Sequence, residues 1–341
     1  MSLLLKKYRD EFAAGRSFGA ADTEALLDAL ITETEEEPIA EVLTAWSAKG
    51  VSSDEIYEFA CILRSRMKRV NSVHETFVDI VGTGGSSAKT FNVSTAASFV
   101  VAGAGVAVAK HGNKAATSNS GSADVLSVLG IDPAVSPETA EACLNTVGIC
   151  FMFAPNFHRL SPTLAKVRRG LGFPTIFNCI GPLCNPASAP HQLIGVWNKE
   201  LVPKMAEALA RLGTKRSWIV HGEDGLDEIA LAGRTLVAEV DGTSVSRFEL
   251  SAGDFGVDAE TPSGLRSRDS AHSGEMIRGV LLGRPHSKSA EDLVLVNAAA
   301  AIYISSAADG FESAMEIARE SLASGSAHRK LEDLAAAAPI V

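Results

Sequence analysis

No stretch of this 341-residue chain reaches the ~18 uninterrupted apolar residues that a membrane-crossing helix requires. The opening MSLLLKKYRDEF turns from three leucines to alternating charges, too short and too polar for a secretory leader. These two absences predict a soluble, cytoplasmic protein with no membrane partner. Cysteine is scarce as well: the five (Cys61, Cys143, Cys150, Cys179 and Cys184) are odd in number, form no Cys-x-x-Cys and fall mostly in apolar runs. That pattern predicts buried thiols in a reducing compartment and lacks the clustered spacing of a zinc site. Positive charge is in deficit, with 31 Lys and Arg against 41 Asp and Glu and a net charge of −10, which argues against a protein built to neutralise a nucleic-acid backbone. Aromatics make up only 6% of the chain, unlike an aromatic-rich binding module, and there is no internal repeat, low-complexity tract or long linker.

What the sequence has in quantity is Ala, Gly and a 46% apolar fraction, which suits helices packed closely against a sheet. The length predicts one large domain and one small one. Residues 1 to about 70 carry apolar positions at helical spacing and no strand-like alternation. Ser52 and Glu55 form a capping-box pattern, and Ile56, Phe59, Leu63 and Met67 make one apolar stripe that faces either its own core or a partner subunit. Beyond Thr76 the pattern changes. FVDIV is followed by the loop GTGGSSAKTFN and a small-residue helix, and a second run, Val106 to Ala109, leads through a polar loop into another helix. Ser136-Pro137 and Ser161-Pro162 mark two further helix starts. The repeated order predicts an α/β fold with a mainly parallel central sheet. TLVAEV and SVSRFEL, flanking Asp241 and Gly242, predict an antiparallel hairpin near its end, and the tail from Ser289 reads as helical.

Three stretches carry chemistry. Gly82, Thr83, Gly84 and Gly85 stand between a strand and a helix start, where backbone amides can approach a phosphate, although the same glycines also suit a tight turn. Neither a dinucleotide fingerprint nor a Walker loop is present, because Ser87 and Ala88 stand where glycines are required. A second loop, from Lys110 through His111, Gly112 and Asn113 to Ser118, Ser120, Gly121 and Ser122, opens the next helix. Two such loops after consecutive strands, with Asn92, Ser94 and Thr95 at the first helix start, predict a crevice for two phosphate groups at the carboxyl ends of the strands. The third stretch, HGEDGLDEIAL, sets Asp227 beside Glu228; alone such a pair belongs on the solvated surface, but beside phosphates it suits magnesium.

Taken in order, DIVGTGG…TFNVST, KHGN…SGSADVLSVLG, VRRGLG..TIFN.IGPLCNP, HGEDGLDEI and VNAAAAIY closely resemble the anthranilate phosphoribosyltransferases over essentially the whole chain. The resemblance implies the fold shared with class-III nucleoside phosphorylases. A small helical domain, residues 1–73 with an excursion at about 161–190 packed on it, would stand beside an α/β domain, residues 74–341, with the site between them and a homodimer formed through the helices. It implies transfer of a phosphoribosyl group from phosphoribosyl pyrophosphate to anthranilate in tryptophan biosynthesis, with Mg2+. Matched residue by residue, Gly82, Gly85, Ser86, Thr90, Asn92, Val93, Ser94, Thr95, Lys110, His111, Gly112, Asn113, Ser118 and Ser122 fall at phosphoribosyl pyrophosphate contacts. Gly82, Asn113 and Arg168 fall at anthranilate contacts, and Ser94, Asp227 and Glu228 at metal ligands. A guanidinium fork suits an aromatic carboxylate, although outside the family Arg168 reads as one of two surface arginines on a helix.

Three positions depart from the usual pattern: Ser86 for Asp, Lys114 for Arg and Asn119 for Lys. None removes a matched metal ligand. Anthranilate's amine is already a neutral nucleophile, so no general base is assigned, and His111 reads as a loop histidine bonded to backbone. The alternatives are a nucleoside phosphorylase of the same fold and a non-catalytic nucleic-acid-binding relative. The carboxylate pair and GPLCNP oppose the first, and the acidic balance opposes the second.

Overall fold

The computed structural model describes residues 3–84, 90–114, 120–258 and 262–340. Four helices come first: α1 (Leu3–Ala13), α2 (Ala20–Thr32), α3 (Glu36–Lys49) and α4 (Ser53–Arg66). Then follow β1 (Phe77–Gly82), α5 (Val93–Gly103), β2 (Ala107–Gly112), α6 (Ser122–Val128), α7 (Pro137–Val147) and β3 (Ile149–Phe153). The chain next runs through α8 (Ala154–Phe157), α9 (Pro162–Leu171) and α10 (Ile176–Leu183) before returning to the sheet as β4 (His191–Gly195). After α11 (Leu201–Leu212) come β5 (Arg216–Gly222), β6 (Thr235–Asp241) and β7 (Ser244–Leu250), and the described chain closes with α12 (Ser270–Leu281), α13 (Lys288–Ile304), α14 (Phe311–Ala323) and α15 (Ser326–Ala337).

The strands form one seven-stranded sheet in the order β3-β2-β1-β4-β5-β6-β7. The pairs from β3 through β5 are parallel, and β6 and β7 add an antiparallel hairpin closed around Gly242 and Thr243. This is the mainly parallel α/β architecture that the alternation of elements predicts. The two helix starts at Ser136 and Ser161 are capped as read: each hydroxyl accepts from the backbone N–H three residues on.

Two apolar cores lie on the two faces of the sheet. One gathers α5, α7, α13 and α14 against residues such as Val78, Ile80 and Trp218. The other joins the first four helices, α9, α10 and α11 to Val81, Ile194 and Ile219. The helical segment therefore shares a core with one face of the sheet. Ile56 and Phe59 of the α4 stripe are fully buried in that core, and Leu63 and Met67 are buried as well. Of the two readings the sequence left open for this stripe, the structure selects the chain's own core.

The capping box is present, and it carries more than a helix start. Buried Glu55 accepts from the Ser52 N–H at 3.0 Å, from Trp46 Nε1–H at 3.1 Å and from Lys49 Nζ at 2.7 Å. Phe12 stacks on Trp46 at 4.8 Å, and Phe59 reaches Phe177 of α10 at 6.3 Å. One carboxylate thus closes α3 onto α4 in the core that supports α10. Replacing Glu55 by Ala strands the buried Lys49 ammonium and the indole N–H, and the expected cost is about 3 to 5 kcal/mol. Urea unfolding of Glu55→Ala measures it; a loss below about 1 kcal/mol, the scale of an exposed ion pair, would contradict this account.

Candidate active site

In an open parallel sheet the binding crevice opens where neighbouring strands send their connections to opposite faces. Here that point lies between β1 and β4. The chain after β5 crosses it at contact distance. A Cβ on Gly195 would sit 1.5 Å from the Asp227 carbonyl oxygen, and one on Gly82 would sit 2.7 Å from Asp227 Oδ2. Only residues without a Cβ let the carboxylate-bearing loop lie across both strand ends. Thr83 ties the crossing together: its N–H and hydroxyl both donate to Gly195 O, at 2.9 and 3.2 Å, and its Oγ1 accepts from Trp197 N–H.

The loop after β1 leads into the N-terminus of α5, where Asn92, Val93, Ser94 and Thr95 form the cap and first turn. Asn92 Oδ1 accepts from Ser273 Oγ and Ser120 Oγ, both at 2.9 Å, so the first loop is joined to α12 and to the second loop. Thr95 is buried, and its Oγ1 has no hydrogen-bond partner among the described residues. Lys110 reaches up from β2 to donate to Ser94 Oγ at 3.2 Å and to Ile80 O at 2.6 Å. Burial pushes its ammonium down to about 8, and the charges of Asp79 and Glu228 oppose that fall. At the end of β2, a Cβ on Gly112 would meet Ser122 Oγ, whose hydroxyl donates to Asn113 O at 3.2 Å. Gly85, Ser86 and Ser118, and the departure at Asn119, lie outside the described residues.

Asp227 and Glu228 are half-buried. Loss of water raises both carboxyls, and Glu228 is driven well above its usual range by that loss together with the neighbouring charges of Asp227 and Asp224. Thr90 Oγ1 donates to Glu228 Oε2 at 3.5 Å. Two carboxylates crowded together at a phosphate-suited loop, near the Ser94 hydroxyl through Lys110, form a hard-oxygen donor set with excess negative charge. Among the described residues no group of three or more His, Cys, Asp or Glu side chains is arranged to hold a metal ion by itself. That set fits magnesium, which takes one or two carboxylates and completes its shell with water and phosphate oxygens, rather than zinc. Asn297, the one amide in the Ala-rich α13, holds this loop: its Oδ1 accepts from Ile229 N–H and its Nδ2 donates to Ile229 O. The sequence reading passed over it, although an Asn inside VNAAAAIY is a visible signal.

On the other side of the crevice stand α9 and α10. Arg168 is half-buried, its guanidinium 4.9 Å over the Phe177 ring and its Nε buried without a partner. Burial, with Arg169 adding repulsion, pushes it down to about 10. It is not the solvated surface arginine that its helix alone suggests. Next to Phe177, Asn178 donates through Nδ2 to Thr83 O at 3.2 Å, linking α10 to the glycine loop. No hydrogen bond joins Arg168 to Asn113 or Gly82 among the described residues.

His111 departs from its reading as a loop residue. It lies in β2, buried, with Nε2 3.3 Å from Nε2 of His158, another residue the sequence reading did not single out. Burial lowers both, His111 well below 6.5 and His158 to about 4. Two neutral rings of complementary tautomer satisfy that contact.

A strand-and-glycine-loop crevice with two hydroxyl-rich helix starts and an acidic pair suits a phosphorylated ligand. Residues 74–328 match the glycosyl transferase family, a/b domain. Anthranilate phosphoribosyltransferase of Rubrobacter xylanophilus is 44% identical over 96% of both chains, and that of Natronomonas pharaonis is 40% identical over 97% of this chain and 98% of its own. The crystal structure of the Thermus thermophilus enzyme matches with a TM-score of 0.87 at 34% identity, covering 97% of this chain and 98% of its own. The Saccharomyces cerevisiae enzyme in complex with PRPP and Mg matches with a TM-score of 0.88 at 30% identity, over 99% and 98%. The chain belongs to the anthranilate phosphoribosyltransferase family.

The histidine pair has a consequence for stability. Unfolded His158 titrates near its ordinary 6.5, and folded His158 only near 4, so between these values the unfolded chain binds more protons. Its contribution is complete above pH 6.5 and is lost as pH falls toward 4, by up to about 3 kcal/mol. His158→Gln should lose less stability than the parent between pH 7 and pH 4.5 in urea titrations. Equal losses would show that His158 does not titrate this way.

Proposed function

We propose that this chain transfers the 5-phosphoribosyl group of phosphoribosyl pyrophosphate to the amine of anthranilate, releasing pyrophosphate, in tryptophan biosynthesis. The observation that carries the reading is the crossing of the Asp227–Glu228 loop over the ends of β1 and β4, which brings a carboxylate pair against Gly82 and against Thr90, shortly before the start of α5. Gly82, Thr90, Asn92, Val93, Ser94, Thr95, Lys110, His111, Gly112, Asn113 and Ser122 belong to the donor site in this reading, as do Gly85, Ser86 and Ser118. Breaking the bond at ribose C1 builds negative charge on the leaving pyrophosphate and positive charge on the sugar. The Lys110 ammonium and the N-terminus of α5 favour the first, and the unpartnered Thr95 hydroxyl offers a donor to a phosphate oxygen.

Ser94, Asp227 and Glu228 would hold Mg2+, which when bound neutralises pyrophosphate charge. The S. cerevisiae relative in complex with PRPP and Mg supports that choice. Anthranilate lies between Asn113 and Arg168 beside Gly82, with the Arg168 guanidinium gripping its carboxylate. The amine needs orientation more than deprotonation, so no general base is assigned.

The same reading divides the chain into a helical domain, residues 1–73 with the excursion at about 161–190, and an α/β domain, residues 74–341. Packing of α9 on α3 and of α10 on α4 supports the excursion. No helix among the described residues is long and apolar enough to cross a membrane, and the five cysteines are unpaired, which supports the cytoplasm. A homodimer through the helices rests on the family and on the exposed Leu3 of α1, since the α4 stripe is already covered. Light scattering that gave a 35.7 kDa particle at micromolar concentration would refute the dimer.

Arg168→Ala removes a charge-assisted contact worth about 1.5 to 3 kcal/mol, so the anthranilate KM should rise about 10- to 150-fold with little change for phosphoribosyl pyrophosphate. Steady-state kinetics with each substrate varied in turn decides it. Equal losses for both substrates, or an unchanged anthranilate KM, would remove Arg168 from the acceptor site.

A further inference from the structure

The hydrogen-bonded register between β1 and β2 stops at Val78↔Val108. Their outer neighbours stay paired far longer, β1 with β4 to Gly82↔Gly195 and β2 with β3 to Gly112↔Phe153. The ladder of hydrogen bonds between these two central strands is therefore split toward their carboxyl ends, while the strands stay side by side. Backbone groups along a buried split need other partners. On the α5 face, Lys110 Nζ takes Ile80 O at 2.6 Å. On the α10 face the partners are side chains of Asp79 and Asn185, both fully enclosed. Asp79 Oδ1 accepts from His111 N–H at 3.0 Å, and its Oδ2 accepts from Asn185 Nδ2 at 2.7 Å. The same Asn185 amide donates to Ala109 O at 2.8 Å, while its Oδ1 accepts from Ala187 N–H at 2.8 Å. Each atom of that amide has one suitable role, so the group can sit only one way round.

We propose that Asp79 and Asn185 are positioning residues for the transfer: as a pair they span the split between β1 and β2 and set where the end of β2 carries Lys110, His111 and Asn113 relative to the glycine loop. This rests on the reading that phosphoribosyl pyrophosphate binds at that loop. The pair also serves the acceptor side. Asn185 follows α10 directly, and α10 brings Phe177 under Arg168 and Asn178 onto Thr83. Donor and acceptor elements are thus referenced to one buried carboxylate that touches neither substrate.

Asp79→Asn turns the 79–185 contact into two facing amide groups, and Asn185→Ala removes the spacer. Small displacements at a reacting centre are costly, so kcat per folded molecule should fall about 10- to 100-fold in each. Affinity for phosphoribosyl pyrophosphate with Mg2+, measured by calorimetry on the dialysed protein, should change less than about threefold. Because the two act as a unit, the double variant should be no worse than the poorer single one. Unchanged kcat per folded molecule, with only a lower melting temperature, would overturn the proposal, as would losses in the double variant equal to the product of the single ones. If Asp79→Asn does not fold, Asn185→Ser carries the same comparison. Lys110→Ala separates the two readings. If it is fully active, the phosphate reading fails and the inference with it; if it is impaired while the Asp79 and Asn185 variants are not, the inference alone fails.

Discussion

The close approach of the Asp227 backbone to Gly195 is the contact on which the rest of the site depends. Parallel strands deliver their loops to one edge of the sheet, but they do not by themselves bring the loop after β5 over the ends of β1 and β4. Here the crossing is possible because two strand ends carry no side chain at all. Thr83 then fastens β1 to β4 from above, and Asn297 fastens the carboxylate loop from α13 below. A methyl group at either glycine would push Asp227 away from the glycine loop, and the acidic pair would lose its reason for being half-buried.

Around that crossing the polar groups are satisfied unevenly, in a way that suits a site waiting for charge. The Thr95 hydroxyl and Arg168 Nε are buried without partners, and Glu228 is crowded by two other carboxylates. Each unsatisfied buried group costs about 1 to 3 kcal/mol in the free chain. A phosphorylated donor with its cation, and an aromatic carboxylate acceptor, would each supply a missing partner, so binding them relieves a cost already built into the fold. The groups that hold the site, by contrast, are fully satisfied: Asp79, Asn185 and Glu55 have each side-chain oxygen or amide engaged.

Much of this was legible in the sequence where local chemistry decides the outcome. The capping box at Ser52, the helix starts at Ser136 and Ser161, the hairpin at Gly242 and the parallel α/β order all follow from short-range rules, and all are present. What the sequence did not disclose depends on long-range packing. The direction of the α4 stripe required knowing that α10 and α11 would cover it. His111 was read as a loop residue because its strand is short and ends in Gly112, and the burial of Arg168 came from Phe177, nine residues on in another helix. Asp79, Asn185 and Asn297 were each a polar residue inside an otherwise apolar or motif-rich run. Such interruptions mark buried hydrogen-bonding posts, although the partners that tie them to other elements lie tens of residues or more away.

The central claim is that this crevice joins phosphoribosyl pyrophosphate to anthranilate with the help of Mg2+ held at Ser94, Asp227 and Glu228. Anthranilate is fluorescent and its consumption can be followed directly. The account predicts a fluorescence decrease that requires the protein, phosphoribosyl pyrophosphate and Mg2+ together, and that is abolished by chelation and restored by added Mg2+. Undiminished fluorescence with all components present, from a folded preparation, would contradict it.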